Sequence, residues 1–186
     1  IPPLRLYAPS ESVKEFARAI EMQIDLTREA ENNRRFRENF ADSDDLVFPE
    51  LVPELCSSKV LTMSFIDGTK ILRYADVDAD PTRLAKIGFH TLLKMIFEDG
   101  FVHADLHPGN ILIATDQRVA LLDLGLTAEL SDENRRTFAT FFGAWATADG
   151  KTMARLMVEF SPNARVADYD AYEAAFTAAV VERLGV

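Results

Sequence analysis

The strongest constraint on this chain is a polar run set between apolar flanks. It reads His103-Ala104-Asp105-Leu106-His107-Pro108-Gly109-Asn110, and Asp123-Leu124-Gly125 follows thirteen residues after the asparagine. Between the two lie Ile111-Leu112-Ile113 and Val119-Ala120-Leu121-Leu122, separated by Thr115-Asp116-Gln117. Two short apolar runs about a polar turn predict a β-hairpin. The polar run becomes the loop that enters the hairpin, and the return strand brings Asp123 back beside Asp105 and Asn110. Pro108-Gly109 fixes and then relaxes the loop, while Gly125 frees the backbone to leave sharply.

Three oxygen-bearing side chains converging in this way suit phosphoryl transfer. That reaction needs an oriented acceptor hydroxyl, a carboxylate to take its proton, and oxygen ligands for a metal that bridges nucleotide phosphates. Asp105 suits the proton-accepting role. Asn110 and Asp123 suit the metal, because hard Mg²⁺ prefers oxygen. The bland alternative is a polar loop with a His-Asp hydrogen bond and a capping asparagine.

The rest of the chain predicts the frame. Residues 11–40 read as one long helix, with capping-box spacing at Ser12 and Glu15 and apolar residues at helical intervals from Val13 to Ile24. The run Asp42-Ser43-Asp44-Asp45 ends it as a solvated loop. Leu46–Val52, interrupted by Pro49, reads as an edge strand or two pieces. Val60–Ile66 reads as a stronger strand, closed by an Asp67-Gly68 turn. Asp80-Pro81 opens a helix that Gly100 terminates. Its apolar patch over 87–97 reads as core in preference to a lipid contact, and His90 as a satisfied core residue. Ser131 caps a further helix, and two more cover 151–160 and 169–184. Strands are few and helices dominate, so the fold class is α+β with a mainly helical lobe.

Composition narrows the function. Hydrophobic residues make up 48% of the 186, enough for a substantial core. The net charge of −10 repels phosphate backbones and argues against a nucleic-acid partner. Cys56 is the single cysteine, which excludes an internal disulfide and a cysteine-based zinc site. No apolar run reaches the roughly 18 residues of a spanning helix.

The motif resembles the protein-kinase catalytic loop H-R-D-x-x-x-x-N followed by D-F-G, with Leu124 in the middle position. The H-x-D-L-H-P-G-N form is shared by aminoglycoside and choline phosphotransferase-like kinases and by UbiB-type atypical kinases. The helix favours the second group. Asp25-Leu26-Thr27-Arg28-Glu29-Ala30-Glu31-Asn32, then Arg35-Phe36 and Asn39-Phe40, looks like the UbiB pattern D-x-x-x-E-A-x-N, R-F and N-F. Pro49, Val52-Pro53, Val60-Leu61-Thr62-Met63 and Ile66-Asp67-Gly68 resemble that family's run through the hinge. The resemblance spans roughly residues 10–145.

The resemblance implies a protein-kinase-like fold, with residues 1–66 as a remnant of the N-lobe and hinge and 67–186 as the C-lobe. It implies Mg²⁺ and ATP as cofactors. Asp105, Asn110 and Glu29 become the catalytic set, and Asn110 and Asp123 the metal ligands. Met63 falls at the gatekeeper position, and Ser64 to Ile66 form the hinge that meets adenine through backbone groups. Asp25 is kept from the family's E-x-D motif near the nucleotide, while Gln23 replaces its glutamate. Glu29 matches the glutamate that pairs with a lysine on an earlier strand, its alternative being a surface partner of Arg28 or Arg34. His103 becomes a buried brace, and His107 either nears phosphate or packs. No residue is assigned to the phosphate-binding lysine, and the chain reads as an excerpt of a longer protein.

The implied activity is that of an atypical kinase or ATPase in ubiquinone or other isoprenoid-lipid metabolism. Its partners would be a nucleotide, a lipid or isoprenoid quinone precursor, and a membrane surface. The site of action would be the cytoplasmic face of a bacterial membrane, or a mitochondrion or plastid. A small-molecule kinase like the aminoglycoside phosphotransferases and a non-catalytic pseudokinase-like binding module are the competing classes.

Overall fold

The computed structural model describes residues 25–161 and 165–185, with Val13 alone before them. The chain divides into two compact units. The first takes residues up to Met95 and Phe101–Ala128, and the second takes Ile96–Gly100 and the chain from Glu129.

The first unit begins with helix α1 (Leu26–Asn39). The expected helix over 11–40 is not continuous through residue 25. Asp25 has extended backbone and caps α1, its side chain accepting from the Thr27 N–H. An Asx cap competes with helix propagation, which is why a favourable apolar spacing did not carry the helix through. Residues 1–12 and 14–24, including Ser12, Glu15 and Gln23, lie outside the described residues.

Strand β1 (Leu46–Val47) is the edge of a four-stranded sheet that also holds β2 (Gly68–Lys70), β4 (Ile111–Ala114) and β5 (Val119–Leu121). The order is β1-β5-β4-β2, with β1 parallel to β5 and the other pairs antiparallel. The expected hairpin is β4–β5, with Gln117 in the left-handed region at its turn (φ 68).

Two expectations fail here. Residues 60–66 make no continuous strand; only the isolated bridges Leu51–Met63 and Ser57–Val60 form. Gly68 is no turn but the first residue of β2, opposite Ala114. A β-carbon on Gly68 would stand 2.6 Å from the Ile113 carbonyl oxygen, so glycine permits the close approach of β2 to β4.

Helix α2 (Pro81–Leu93) starts as expected, with Asp80 as N-cap and Pro81 at the first position. A π-helical turn, Lys94–Asp99, extends it, and Gly100 follows with φ 59. Its buried face is Leu84, Ile87, Thr91 and Met95. His90 falls off that stripe and is exposed, contrary to its expected place in the core. Strand β3 (Phe101–His103) follows, and β6 (Thr127–Glu129) is its partner.

The core of this unit joins helix and sheet. Phe36 is fully buried, with Phe101 at 4.8 Å and Phe48 at 6.0 Å between ring centroids. Leu46, Ile113, Val119, Leu121 and Leu124 close the cluster. The hairpin, apolar and buried along nearly all of both strands, meets the Phe36–Phe40 side of α1 in one apolar layer.

The second unit is helical: α3 (Asp132–Ala146), α4 (Gly150–Glu159) and α5 (Tyr169–Leu184). Ser131 caps α3 by accepting from the Asn134 N–H at 3.1 Å. Gly150 packs so closely on α5 that an added β-carbon would lie 2.5 Å from the Thr177 Cα.

Candidate active site

His103 anchors the loop. It is nearly buried at the end of β3, 7% exposed. Its Nε2 lies 2.6 Å from the Asp123 carbonyl oxygen, and its Nδ1 lies 3.0 Å from the Asp105 nitrogen. A carbonyl only accepts and an amide N–H only donates. Nε2 therefore donates and Nδ1 accepts, so one neutral tautomer ties the start of the loop to the strand that carries Asp123.

The loop beyond is held mainly by main chain. The His107 N–H donates to the Asp105 carbonyl at 2.7 Å, and the Ala104 N–H to the Leu126 carbonyl at 3.0 Å. A short 3₁₀ turn, Pro108–Asn110, then enters β4. His107 turns back on this turn, its Nδ1 accepting from the Gly109 N–H at 2.9 Å. That geometry gives His107 a capping task.

Asn110 and Asp123 meet. The Asn110 Nδ2 donates to the Asp123 Oδ2 at 3.3 Å, and the Gly125 N–H donates to the Asp123 Oδ1 at 3.1 Å. The Asp105 side chain is exposed and makes no hydrogen bond with the described residues. The structure thus joins Asn110 to Asp123 directly and ties the Asp105 backbone to that of Asp123 through His103.

Glu29 joins them from α1. Its Oε1 accepts from the Leu124 N–H at 3.4 Å. Partial burial, and then the nearby Asp123 charge, push its carboxyl above the usual range; the Leu124 hydrogen bond pulls the other way. Neither Arg28 nor Arg34 bonds it: Arg34 pairs with Glu38 at 2.7 Å. Asn32, one turn on, donates to the Leu124 carbonyl at 2.8 Å.

The remaining expected residues stand apart. The Asp25 carboxylate is engaged by the Thr27 hydroxyl at 2.7 Å and the Thr27 N–H at 3.1 Å, which hold its pKa down. Met63 bridges Leu51. The Ser64 N–H donates to the Glu50 carbonyl at 2.7 Å, and its hydroxyl accepts from the Glu50 N–H at 2.9 Å. Ser64 and Ile66 line a groove of about 530 Å³ with Arg37, Glu50 and Arg118, which does not include Asp105, Asn110 or Asp123. Phe65 between them is 90% exposed.

Sequence reasoning missed two residues at the site. Asn32 stands in the sequence only as part of a pattern. Lys70 carries no signal there, although its ammonium group donates to the Gly109 carbonyl. It carries none because Asp67-Gly68 reads as a turn, which takes residue 70 out of the sheet.

The donor set suits an oxygen-loving cation shared with a ligand. Among the described residues no group of three His, Cys, Asp or Glu side chains could hold a metal alone. One carboxylate and one amide beside an open surface fit Mg²⁺, which commonly keeps waters and completes its shell with substrate phosphates.

Comparison with known proteins gives the family. The ABC1 atypical kinase-like domain matches residues 3–157. The chain belongs to the ABC1 family. Among curated relatives, a "Probable protein kinase UbiB" of Shewanella piezotolerans is 34% identical over 174 residues, covering 90% of this chain and 32% of the relative. The chloroplastic "Protein ACTIVITY OF BC1 COMPLEX KINASE 3" of Arabidopsis thaliana is 33% identical over 146 residues, covering 77% and 20%. The chain spans about a third or less of the length of these ABC1 relatives.

Among solved structures, Rv3197 of Mycobacterium tuberculosis, described in complex with erythromycin, superposes with a TM-score of 0.57 at 23% identity. The match covers 78% of this chain and 37% of that one. The architecture is α+β, with a mixed sheet toward the N-terminus and helices toward the C-terminus, as in protein-kinase-like folds.

Proposed function

We propose that this ABC1 chain carries the acceptor-orienting and metal-holding half of an ATP-dependent phosphotransferase or ATPase of UbiB type. The observation that carries the reading is the His103 bridge. One imidazole fixes the backbone of Asp105 and of Asp123 together, and Asn110 hydrogen-bonds the latter. Preorganised side chains of this kind are what phosphoryl transfer asks of a protein, because catalysis there is largely positioning and electrostatics.

Asp105 orients the acceptor hydroxyl or water and takes its proton as the new P–O bond forms and the bond to the departing diphosphate breaks. Asn110 and Asp123 would hold the metal. When bound, ATP would supply the phosphoryl group and Mg²⁺ would neutralise its charge. Glu29 holds the Leu124 N–H and presents its second oxygen for a cation that this chain does not assign. Residues 1–66 serve as N-lobe elements and hinge, and 67–186 as the C-lobe. Met63 is the gatekeeper. Adenine meets the segment 64–66 through the N–H groups of Phe65 and Ile66, because the Ser64 N–H is already engaged by Glu50.

UbiB kinship supports a role in ubiquinone or other isoprenoid-lipid metabolism at a membrane surface. No described helix is long and apolar enough to cross a membrane.

Thermal unfolding of the full-length protein with Mg²⁺ and ATP or ADP tests the proposal. Ligand at 100 times its dissociation constant adds about 2.7 kcal/mol. The expected result is Mg²⁺-dependent stabilisation that Asp123→Asn removes. A well-folded protein that gains nothing from Mg²⁺-nucleotide would point to a binding module instead.

A further inference from the structure

We infer that Lys70 is a positioning residue for Asn110, acting through the Gly109–Asn110 peptide; the inference rests on the metal-holding role proposed above for Asn110. The two ends of that peptide are held from different directions. Its carbonyl, that of Gly109, accepts from the Lys70 ammonium, 39 residues away in sequence. Its N–H, that of Asn110, donates to the His107 carbonyl at 2.9 Å.

A peptide plane held at both ends cannot rotate, and its orientation sets where the Asn110 side chain begins. The Gly109 side of the turn is equally constrained. Its N–H donates to the His107 Nδ1, and a β-carbon there would stand 2.7 Å from the His107 Cε1 and Nδ1. Beyond the turn, the Leu122 N–H donates to the Asn110 carbonyl at 3.0 Å, and the Asn110 amide meets Asp123.

Lys70 is well placed to do this because its own backbone is fixed. It ends β2 opposite Leu112, two residues past Asn110 on the neighbouring strand. The sheet register therefore delivers the cation to the turn. An ammonium on a peptide carbonyl is a charge-assisted hydrogen bond, stronger than a neutral one. Residues that orient a metal ligand from behind typically change metal affinity 10- to 100-fold when removed.

The test compares Lys70→Met and Lys70→Arg with the wild type in the full-length protein, with two readouts. The first is the Mg²⁺ concentration giving half-maximal ATP turnover. Lys70→Met is expected to raise it about tenfold in a protein that still folds, and Lys70→Arg, which keeps a cationic donor, to restore most of the loss. A Mg²⁺ dependence in Lys70→Met equal to that of the wild type overturns the inference. The second readout is amide hydrogen exchange of Asn110 in the ligand-free protein, expected to quicken in Lys70→Met. If the wild type shows no Mg²⁺-ATP turnover, the functional reading falls, and exchange still decides the clamp. Equal exchange rates in wild type and Lys70→Met overturn it.

Discussion

Asn32 and Leu124, 92 residues apart, are joined by a 2.8 Å hydrogen bond from the asparagine amide to the leucine carbonyl. With Glu29 on the Leu124 N–H, helix α1 holds both flanks of a residue whose side chain is fully buried. The segment carrying Asp123 is thereby attached to the helix carrying Glu29.

Asn32→Ala should cost about 1 kcal/mol, the usual net value of one such bond. Asn32→Asp should cost more, because it adds a carboxylate near Glu29 and turns an acceptor toward a carbonyl. Urea unfolding of the two variants measures both, and equal stability of the two would contradict the role given to the amide.

Glu29 gives a pH signature. Its carboxyl is raised in the folded state, so the fold binds its proton more tightly than the unfolded chain does. That contribution to stability is fully present below the ordinary carboxylate pKa and is lost as pH rises through the raised value. Glu29→Gln keeps the size of the side chain and an oxygen for the Leu124 N–H. Melting temperatures of variant and wild type should diverge with rising pH, in favour of the glutamine. A constant difference across that range would contradict the assignment.

His103→Phe fills the same space and removes two hydrogen bonds. The Asp105 N–H and the Asp123 carbonyl lose their partner, at a cost of about 2 kcal/mol. Chemical denaturation reads the loss, and Asp105 and Asn110 amide exchange should quicken in the same variant.

Gly68→Ala should destabilise the sheet by about 2 kcal/mol, because the added carbon meets a carbonyl oxygen of β4 that cannot step aside cheaply. Its neighbour Thr69→Ala, with no such contact, serves as control. A Gly68→Ala protein as stable as that control would show that β2 is not held as closely as described.

Much of this could be read from the residues alone. The hairpin and the helices from Pro81 onward follow from periodicity and caps, which are local properties. Asn110 and Asp123 come together because a hairpin joins them. What escaped were features set by distant partners. Gly68 looks like punctuation until Ile113 stands against it, and Lys70 has no meaning until β2 is paired. The apolar pattern of 60–66 marks extended chain, but a strand also needs a continuous neighbour, and only bridges formed there. His90 stands one residue before Thr91 of the buried stripe, a distinction that hydrophobic spacing does not resolve.

The way the loop is braced separates its shape from its acids. His103, Gly109 and the carbonyls of Asp105, His107 and Asp123 set the path of the chain, while the Asp105 carboxylate holds nothing in place. An Asp105→Asn protein should therefore fold as the parent does and fail only in turnover. A scaffold built like this lets whatever chemistry is placed on it be exchanged, tuned or silenced over evolutionary time at little cost to the molecule that carries it.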